Sequence, residues 1–162
     1  MTRLRLEVPA RRGGQLEVVP DIERVRALAA GHGQVPLLHT YIADCETPVS
    51  AYLKLRDGGP AFLLESVEHG RLGRYSMIGV RPQAVIRGAD GALTLTDDAG
   101  DSRELDASDP FGAVEDVVRD TGMAPAPEPL AFWGGAVGYF GYDLVRTVER
   151  LPGRPADDLG VP

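Results

Sequence analysis

The chain has 162 residues, of which 43% are hydrophobic and 25% charged, so it is long enough for one globular domain and has an ordinary globular composition. It contains neither an apolar run of about 20 residues nor a signal-peptide core, so we expect a cytoplasmic protein with no membrane partner. A net charge of −7 with dispersed acidic residues argues against a nucleic-acid partner. Its single cysteine, Cys45, excludes an intrachain disulfide and a zinc site built from several thiolates.

The first third of the chain carries two helix signals. Residues 1–19 alternate weakly and are interrupted by proline and glycines, which is consistent with an edge strand or a loose arm. Asp21 precedes apolar residues at helical spacing and is a suitable N-cap. Residues 35–43 are predicted to form a strand that leads into a second helix at Thr47, where a capping threonine is followed by proline.

Two hairpins are predicted in the middle of the chain. Short apolar runs at residues 61–64 and 75–80 flank a glycine-containing loop, which indicates an antiparallel pair. Residues 84–88 and 92–97 flank an Asp-Gly dipeptide, which favours a tight turn because glycine accepts positive φ. The sequence therefore predicts a second hairpin directly after the first.

The last third is predicted to contain a third helix, a strand and a fourth helix. The helix begins at Asp109, again a capping residue followed by proline; the strand covers residues 131–140 and the final helix residues 143–151. Exposed apolar residues are expected on the strand: Val137, Tyr139 and Phe140. Irregular alternation of about four helices with hairpins predicts an α+β fold with mainly antiparallel sheets.

Most chemical motifs have a structural interpretation here. The closely spaced glycines of residues 134–141 match neither the dinucleotide nor the phosphate-loop pattern. The three histidines lack metal-ligand spacing, and no serine stands in a hydrolase elbow. We therefore predict no catalytic residue and no metal ligand.

The end of the first hairpin's leading strand is the candidate site. Glu65 and Ser66 follow the apolar run directly, and polar groups that end a core strand need partners. Those partners are either neighbouring backbone groups, which composition alone favours, or a bound ligand.

Four segments carry a resemblance to a known family. LLES (63–66), RYSMIG (74–79), ETPVSAYLKL (46–55) and GGAVGYFGYDLVRTVERLP (134–152) resemble the N-terminal domain of anthranilate synthase component I, a chorismate-utilising enzyme, over residues 35–162. The resemblance implies that Ser66 lines the site where L-tryptophan binds as feedback inhibitor. Glu65, an apolar slot at Leu64 and a carboxylate partner at Arg74 complete the predicted site.

The resemblance also implies what the parent protein does. Similar enzymes convert chorismate and ammonia to anthranilate and pyruvate with Mg²⁺, and a glutamine amidotransferase subunit supplies the ammonia. Their catalytic and metal-binding residues lie in a C-terminal chorismate-binding domain that this sequence lacks. Residues 1–162 are accordingly expected to be one N-terminal regulatory domain, inactive alone and without a cofactor of its own. The alternatives are the same domain of aminodeoxychorismate synthase component I and a free-standing amino-acid-binding module.

Overall fold

A computed structural model describes residues 17–66, 75–89, 91–127 and 132–153. Every pair of strands in these ranges is antiparallel, and a single isolated bridge, between Gln34 and Met123, is parallel. The predicted α+β class with antiparallel hairpins is therefore confirmed. The chain forms two compact units, Met1–Pro82 with Thr121–Gly135 and Gln83–Asp120 with Ala136–Pro162.

The described residues of the first unit form two short helices and two strand pairs. In chain order its elements are β1 (Val18–Val19), α1 (Ile22–Ala29), β2 (Leu38–His39), α2 (Pro48–Leu55), β3 (Ala61–Glu65) and β4 (Ser76–Val80). Strand β1 pairs with β2, and β3 pairs with β4. Much of the predicted first segment, residues 1–16, lies outside the described residues.

Both helix starts in this unit follow from local capping, as the sequence predicts. The Asp21 carboxylate accepts a hydrogen bond from the backbone N–H of Arg24 at 2.8 Å. At the start of α2, Thr47 and Ser50 form a capping box, in which each side chain accepts from the other's backbone N–H, at 3.1 and 2.9 Å. These bonds satisfy donors that a helix leaves unpaired in its first turn.

The predicted strand over residues 35–43 is wrong in its extent, because only Leu38–His39 is a strand. Its partner β1 offers just two residues for pairing, Val18↔His39 and Val19↔Leu38. Pro36 lacks the N–H that a ladder bond requires, so the strand cannot extend regularly towards residue 35.

The β3–β4 hairpin is the predicted first hairpin, and α2 packs against both of its strands. Ile78 in the middle of β4 is 2% exposed, and Ala51 on α2 is 8% exposed. Phe62 lies directly opposite Gly79, and a Cβ built on Gly79 would lie 2.1 Å from Cε1 of that ring. Glycine at this position therefore lets the phenylalanine ring lie across the neighbouring strand.

The second unit is built on a three-stranded sheet. Its elements are β5 (Ala84–Ala89), β6 (Ala92–Asp97), β7 (Ser102–Leu105), α3 (Pro110–Asp120) and a 3₁₀-helix, Tyr142–Thr147. The strand order is β5-β6-β7, and the buried core residues of β6 are Leu93 and Leu95. The second hairpin is confirmed, with Gly91 at a φ of 79° in its turn.

Strand β7 was not predicted. It follows a turn in which the carboxylate of Asp97 accepts the backbone N–H groups of Ala99 and Asp101, at 3.0 and 2.9 Å. The sequence signal was available, because an aspartate that binds the backbone two residues ahead is typical of a turn. Helix α3 starts where predicted, with the Asp109 carboxylate 2.9 Å from the N–H of Gly112.

Two predictions in the last third are corrected. The described residues 132–140 form no strand, and the final helix is a 3₁₀-helix, Tyr142–Thr147, rather than a longer α-helix. Gly135 has a φ of 112°, a left-handed value that interrupts an extended strand. The residue at the N-cap position, Gly141, has no side chain that could cap the helix. The expected exposure of residues Val137, Tyr139 and Phe140 is confirmed, at 40%, 66% and 52%.

Replacing Gly79 by alanine tests the close approach of Phe62. The new Cβ would occupy the space of the ring, so we expect Gly79→Ala to lower the free energy of unfolding by about 1–3 kcal/mol. Gly31→Ala is the matched control, because nothing lies within 4 Å of a Cβ there, and its effect should stay within about 0.5 kcal/mol. The measurement is urea unfolding of both variants, and equal shifts would contradict this packing.

Candidate functional site

The candidate site lies at the end of β3, where Glu65 is the last strand residue and Ser66 follows it. Both residues are exposed, so neither is a buried polar group that must find a partner inside the fold. Within the described part of the chain, neither side chain makes a hydrogen bond or an ion pair. Hydrogen bonding within the described residues therefore does not explain why two polar residues stand at this strand end.

The strand register divides the predicted site residues between the two faces of the hairpin. Residues directly opposite each other in an antiparallel pair share a face, and successive residues alternate. Leu64 lies opposite Met77, whereas Glu65 lies opposite Ser76 on the other face. Ser66 follows the last paired residue, and we infer from the same alternation, continued by one residue, that it lies on the Leu64 face. Arg74, the fourth predicted residue, lies outside the described residues.

Leu64 and Ser66 together offer an apolar surface beside a hydroxyl group. Leu64 is 49% exposed, and a serine hydroxyl can both donate and accept hydrogen bonds. The carboxylate of Glu65 starts from the adjacent backbone position but belongs to the opposite face. This end of the hairpin can therefore contact a small ligand that has one apolar part and one polar part.

The opposite end of the hairpin is closed by an ion pair. Arg81 follows β4 with a φ of 50°, and its Nε lies 2.9 Å from Oδ2 of Asp57 in the loop after α2. The second carboxylate oxygen accepts the N–H of Gly59 at 3.2 Å. The Arg81 guanidinium, and secondly the Gly59 N–H, hold the pKa of Asp57 below its usual value. The pair is exposed, so it orients the loop more than it stabilises the fold.

A second polar network lies at the start of α2. The ammonium of Lys54, the only lysine in the sequence, is paired with one Glu46 oxygen, and the Ser50 hydroxyl donates to the other at 2.7 Å. Lys54 and then Ser50 lower the pKa of Glu46. Every member has a partner, so we assign this network to anchoring the helix. The sequence analysis missed it, although the spacing of these residues on and before a capped helix was a usable signal.

The ranges that the structure covers contain neither a candidate metal cluster nor a candidate membrane-spanning helix. No cluster of three or more His, Cys, Asp or Glu side chains there could hold a metal ion. None of the described helices has the length and apolar character needed to cross a membrane.

Comparison with known proteins gives close relatives by sequence. No family model matches the chain, and no solved structure matches it. Anthranilate synthase component 1 of Thermus thermophilus is 44% identical over 128 residues, which is 78% of this chain and 26% of the relative. The protein of the same name from Mycolicibacterium smegmatis is 42% identical over 161 residues, 93% of this chain and 29% of the relative. The protein of that name from Pseudomonas aeruginosa is 41% identical over 143 residues, which is 86% of this chain and 29% of the relative.

The relatives agree in name and in the extent of the match. The chain spans only a little over a quarter of the length of these curated relatives, 26–29%, whereas most of its own residues are aligned. The chain therefore belongs to the anthranilate synthase component 1 family and corresponds to one part of those longer proteins.

Proposed function

We propose that this chain is the N-terminal, tryptophan-sensing part of an anthranilate synthase component I. The sequence similarity supports the family, since relatives that carry this name match most of the chain at 36–44% identity. The observation that carries the sensing role is the exposed Ser66, which has no hydrogen-bond partner among the described residues, two positions from the exposed Leu64 at the end of β3. Both residues belong to the LLES segment on which the resemblance depends.

The proposed activity belongs to the full-length protein. That protein converts chorismate and ammonia, or glutamine, to anthranilate and pyruvate, a lyase reaction of tryptophan biosynthesis in the cytoplasm. Its partners are a glutamine amidotransferase subunit and, within the same chain, a C-terminal chorismate-binding domain that carries the Mg²⁺ site. This chain contributes regulation, by feedback inhibition, and contributes no catalytic residue.

The chemistry of the inhibitor fits the residues at the end of the hairpin. A free amino acid presents an ammonium group, a carboxylate and a side chain, so its site needs an acceptor, a donor and a slot of matching polarity. Ser66 can serve either charged group, and Glu65 can accept from the ammonium. Leu64 contributes to the apolar slot, and Arg74 is proposed as the partner of the carboxylate.

Exposed apolar residues in the second unit support the proposal that further protein covers this chain. The rings of Phe111 and Phe140 contact each other, with centroids 4.6 Å apart, yet they remain 48% and 52% exposed. Tyr142 and Val148 are 89% and 77% exposed. Large apolar side chains that contact each other and yet remain exposed are typical of a surface that packs against a partner.

Two alternatives remain distinguishable by experiment. An aminodeoxychorismate synthase component I would share the fold, but the reported relatives carry the anthranilate synthase name. A free-standing amino-acid-binding module would require a ligand site that is complete without other protein. The exposed position of Ser66 favours a site completed by residues from the rest of the parent enzyme.

Residues 1–162 should make no anthranilate from chorismate, ammonium and Mg²⁺, because we place the catalytic residues in the part of the parent enzyme that these residues do not cover. Anthranilate is fluorescent, so the assay needs only the chain and a control without protein. Formation above that control, proportional to the amount of chain added, would place catalytic residues in this part of the enzyme and contradict the proposal.

Ser66→Ala should weaken tryptophan inhibition of the full-length enzyme while leaving the uninhibited turnover nearly unchanged. A ligand charge left without its hydroxyl partner in the completed site costs about 1–3 kcal/mol, which is about 5- to 150-fold in the half-inhibiting concentration. Inhibitor and substrate affect each other only through the coupling free energy between their sites, so the substitution should leave the uninhibited turnover nearly unchanged.

The matched control for that measurement is Ser102→Ala, because Ser102 is also an exposed serine but lies on β7 of the second unit and not on the hairpin. Its inhibition curve should coincide with that of the wild type. If the Ser66→Ala curve also coincides with the wild type, Ser66 is not in the inhibitor site. A collapse of basal turnover in Ser66→Ala would instead indicate a catalytic or folding role.

A further inference from the structure

Residues 136–140 precede the 3₁₀-helix of the second unit and are exposed at every position. The segment includes Val137, Tyr139 and Phe140, which are 40%, 66% and 52% exposed. No atom of the described residues, apart from its chain neighbours, lies within 4 Å of a Cβ built on Gly138. The described part of the chain therefore leaves this apolar segment largely uncovered.

A single aromatic contact orients the end of the segment. The ring of Phe140 contacts that of Phe111 on α3, with centroids 4.6 Å apart. Phe111 is itself 48% exposed, so this contact holds the segment at the second unit without removing it from water.

The backbone of the segment is also unpaired. Within the ranges that the structure describes, residues 136–140 belong to no helix or strand, and their N–H and C=O groups make no hydrogen bond to other protein groups. Backbone N–H and C=O groups that are buried without a partner cost free energy. A protein that covers these side chains must therefore also supply hydrogen-bond partners for the backbone.

The residue pattern of the segment is that of a strand. Val137 and Tyr139 are two residues apart and would share one face of a strand, and valine, tyrosine and phenylalanine all favour strands. The left-handed φ of Gly135 lies outside residues 136–140 and does not prevent them from forming one. The segment therefore has the composition of a strand but no neighbouring strand to pair with.

The absence of charge around the segment indicates a permanent cover. No charged residue occurs in residues 132–142, whereas natural proteins protect exposed strand edges with charged side chains or proline. Permanent interfaces are more apolar than transient ones, and their cores are depleted of charge. The chain spans only 26–29% of the length of its curated relatives. In a protein of that length, most of the polypeptide lies outside residues 1–162 and can cover the segment at all times.

We propose that residues 136–140 form a β-strand in the full-length enzyme, by pairing with a strand from the part of the polypeptide outside residues 1–162. The pairing supplies hydrogen bonds to the backbone of the segment, as in other cases of strand addition. Val137 and Tyr139 then pack against the same part of the polypeptide. This inference rests on the proposed function in one respect, that the parent enzyme is the longer family protein.

The test is hydrogen exchange of residues 136–140 in the 1–162 chain and in the full-length enzyme, both without tryptophan, chorismate and the amidotransferase subunit. Amides that are bonded to water exchange quickly, whereas amides in a strand ladder exchange only when the ladder opens. We expect fast exchange in the 1–162 chain and exchange at least about 100-fold slower in the full-length enzyme. Equal exchange rates in the two proteins would overturn the proposal.

The conditions under which protection appears identify the protein that covers the segment. Protection by the same polypeptide should be independent of enzyme concentration and present before the amidotransferase subunit is added. Protection that appears only with that subunit would assign the segment to the subunit interface instead. Protection that rises with concentration would assign it to a second copy of the chain. Either result would overturn the proposed pairing.

A charged substitution with a matched control tests the side chains. Tyr139→Lys should shift the melting temperature of the 1–162 chain by less than about 2 °C, because Tyr139 is 66% exposed there. It should lower that of the full-length enzyme by at least about 5 °C, because the lysine charge would be buried. Ile22→Lys is the control, because Ile22 is similarly exposed, at 61%, but lies on α1, and its shift should be the same in both proteins. Equal shifts for Tyr139→Lys would contradict the proposal, and if that variant does not fold at full length, the exchange of the wild-type proteins decides.

Failure of this inference is separable from failure of the proposed function. The exchange comparison uses no inhibitor, so it can fail while Ser66→Ala still weakens tryptophan inhibition. In that case the docked strand is overturned and the sensing role stands. If tryptophan does not inhibit the wild-type enzyme, the sensing role is overturned and the exchange comparison still decides the strand.

Discussion

The register of the β3–β4 hairpin is the constraint on which the rest of this account depends. It places Phe62 on Gly79, Leu64 opposite Met77, and Glu65 opposite Ser76. A slip by one residue would exchange every side chain between the buried and the exposed face. The contact between the Phe62 ring and Gly79 opposes such a slip, because only glycine leaves room for the ring. Helix α2 and the Asp57–Arg81 pair add contacts on and around the same hairpin.

The proposed position of the regulatory site, at the exposed end of the β3–β4 hairpin, has a physical rationale. Residues that respond to a ligand must be accessible and must gain contacts when it binds, and the coupling to catalysis is limited by the free energy gained. In the proposed enzyme, the amino acid would connect this end of the hairpin to protein outside the chain. An exposed serine and leucine suit such a site. They lose contact with water only when the ligand binds, and this loss of water strengthens their contacts with it.

The sequence predicted those features that depend on neighbouring residues. Capping by Asp21 and Thr47 and the turn at Gly91 are local, so their residue types suffice to locate the elements. The strand predicted over residues 131–140 was wrong. Residues 132–140 have strand-like apolar content, but the left-handed φ of Gly135 interrupts a regular strand. Leu64, Glu65 and Ser66 were predicted as site residues from the motif. The opposite faces of Leu64 and Glu65 required the register, which a connection longer than a tight turn does not define. The roles of these three residues and of Arg74 stay predictions.

The most direct test of the central claim is hydrogen exchange of the full-length enzyme with and without L-tryptophan, read by mass spectrometry. The account predicts slower exchange in peptides covering residues 61–66 and 76–80, because the ligand contacts and stabilises that hairpin. Peptides covering β7 in the second unit, residues 102–105, should respond much less. Unchanged exchange in the hairpin, under conditions where tryptophan inhibits the enzyme and other peptides respond, would contradict the claim that this chain senses the amino acid there.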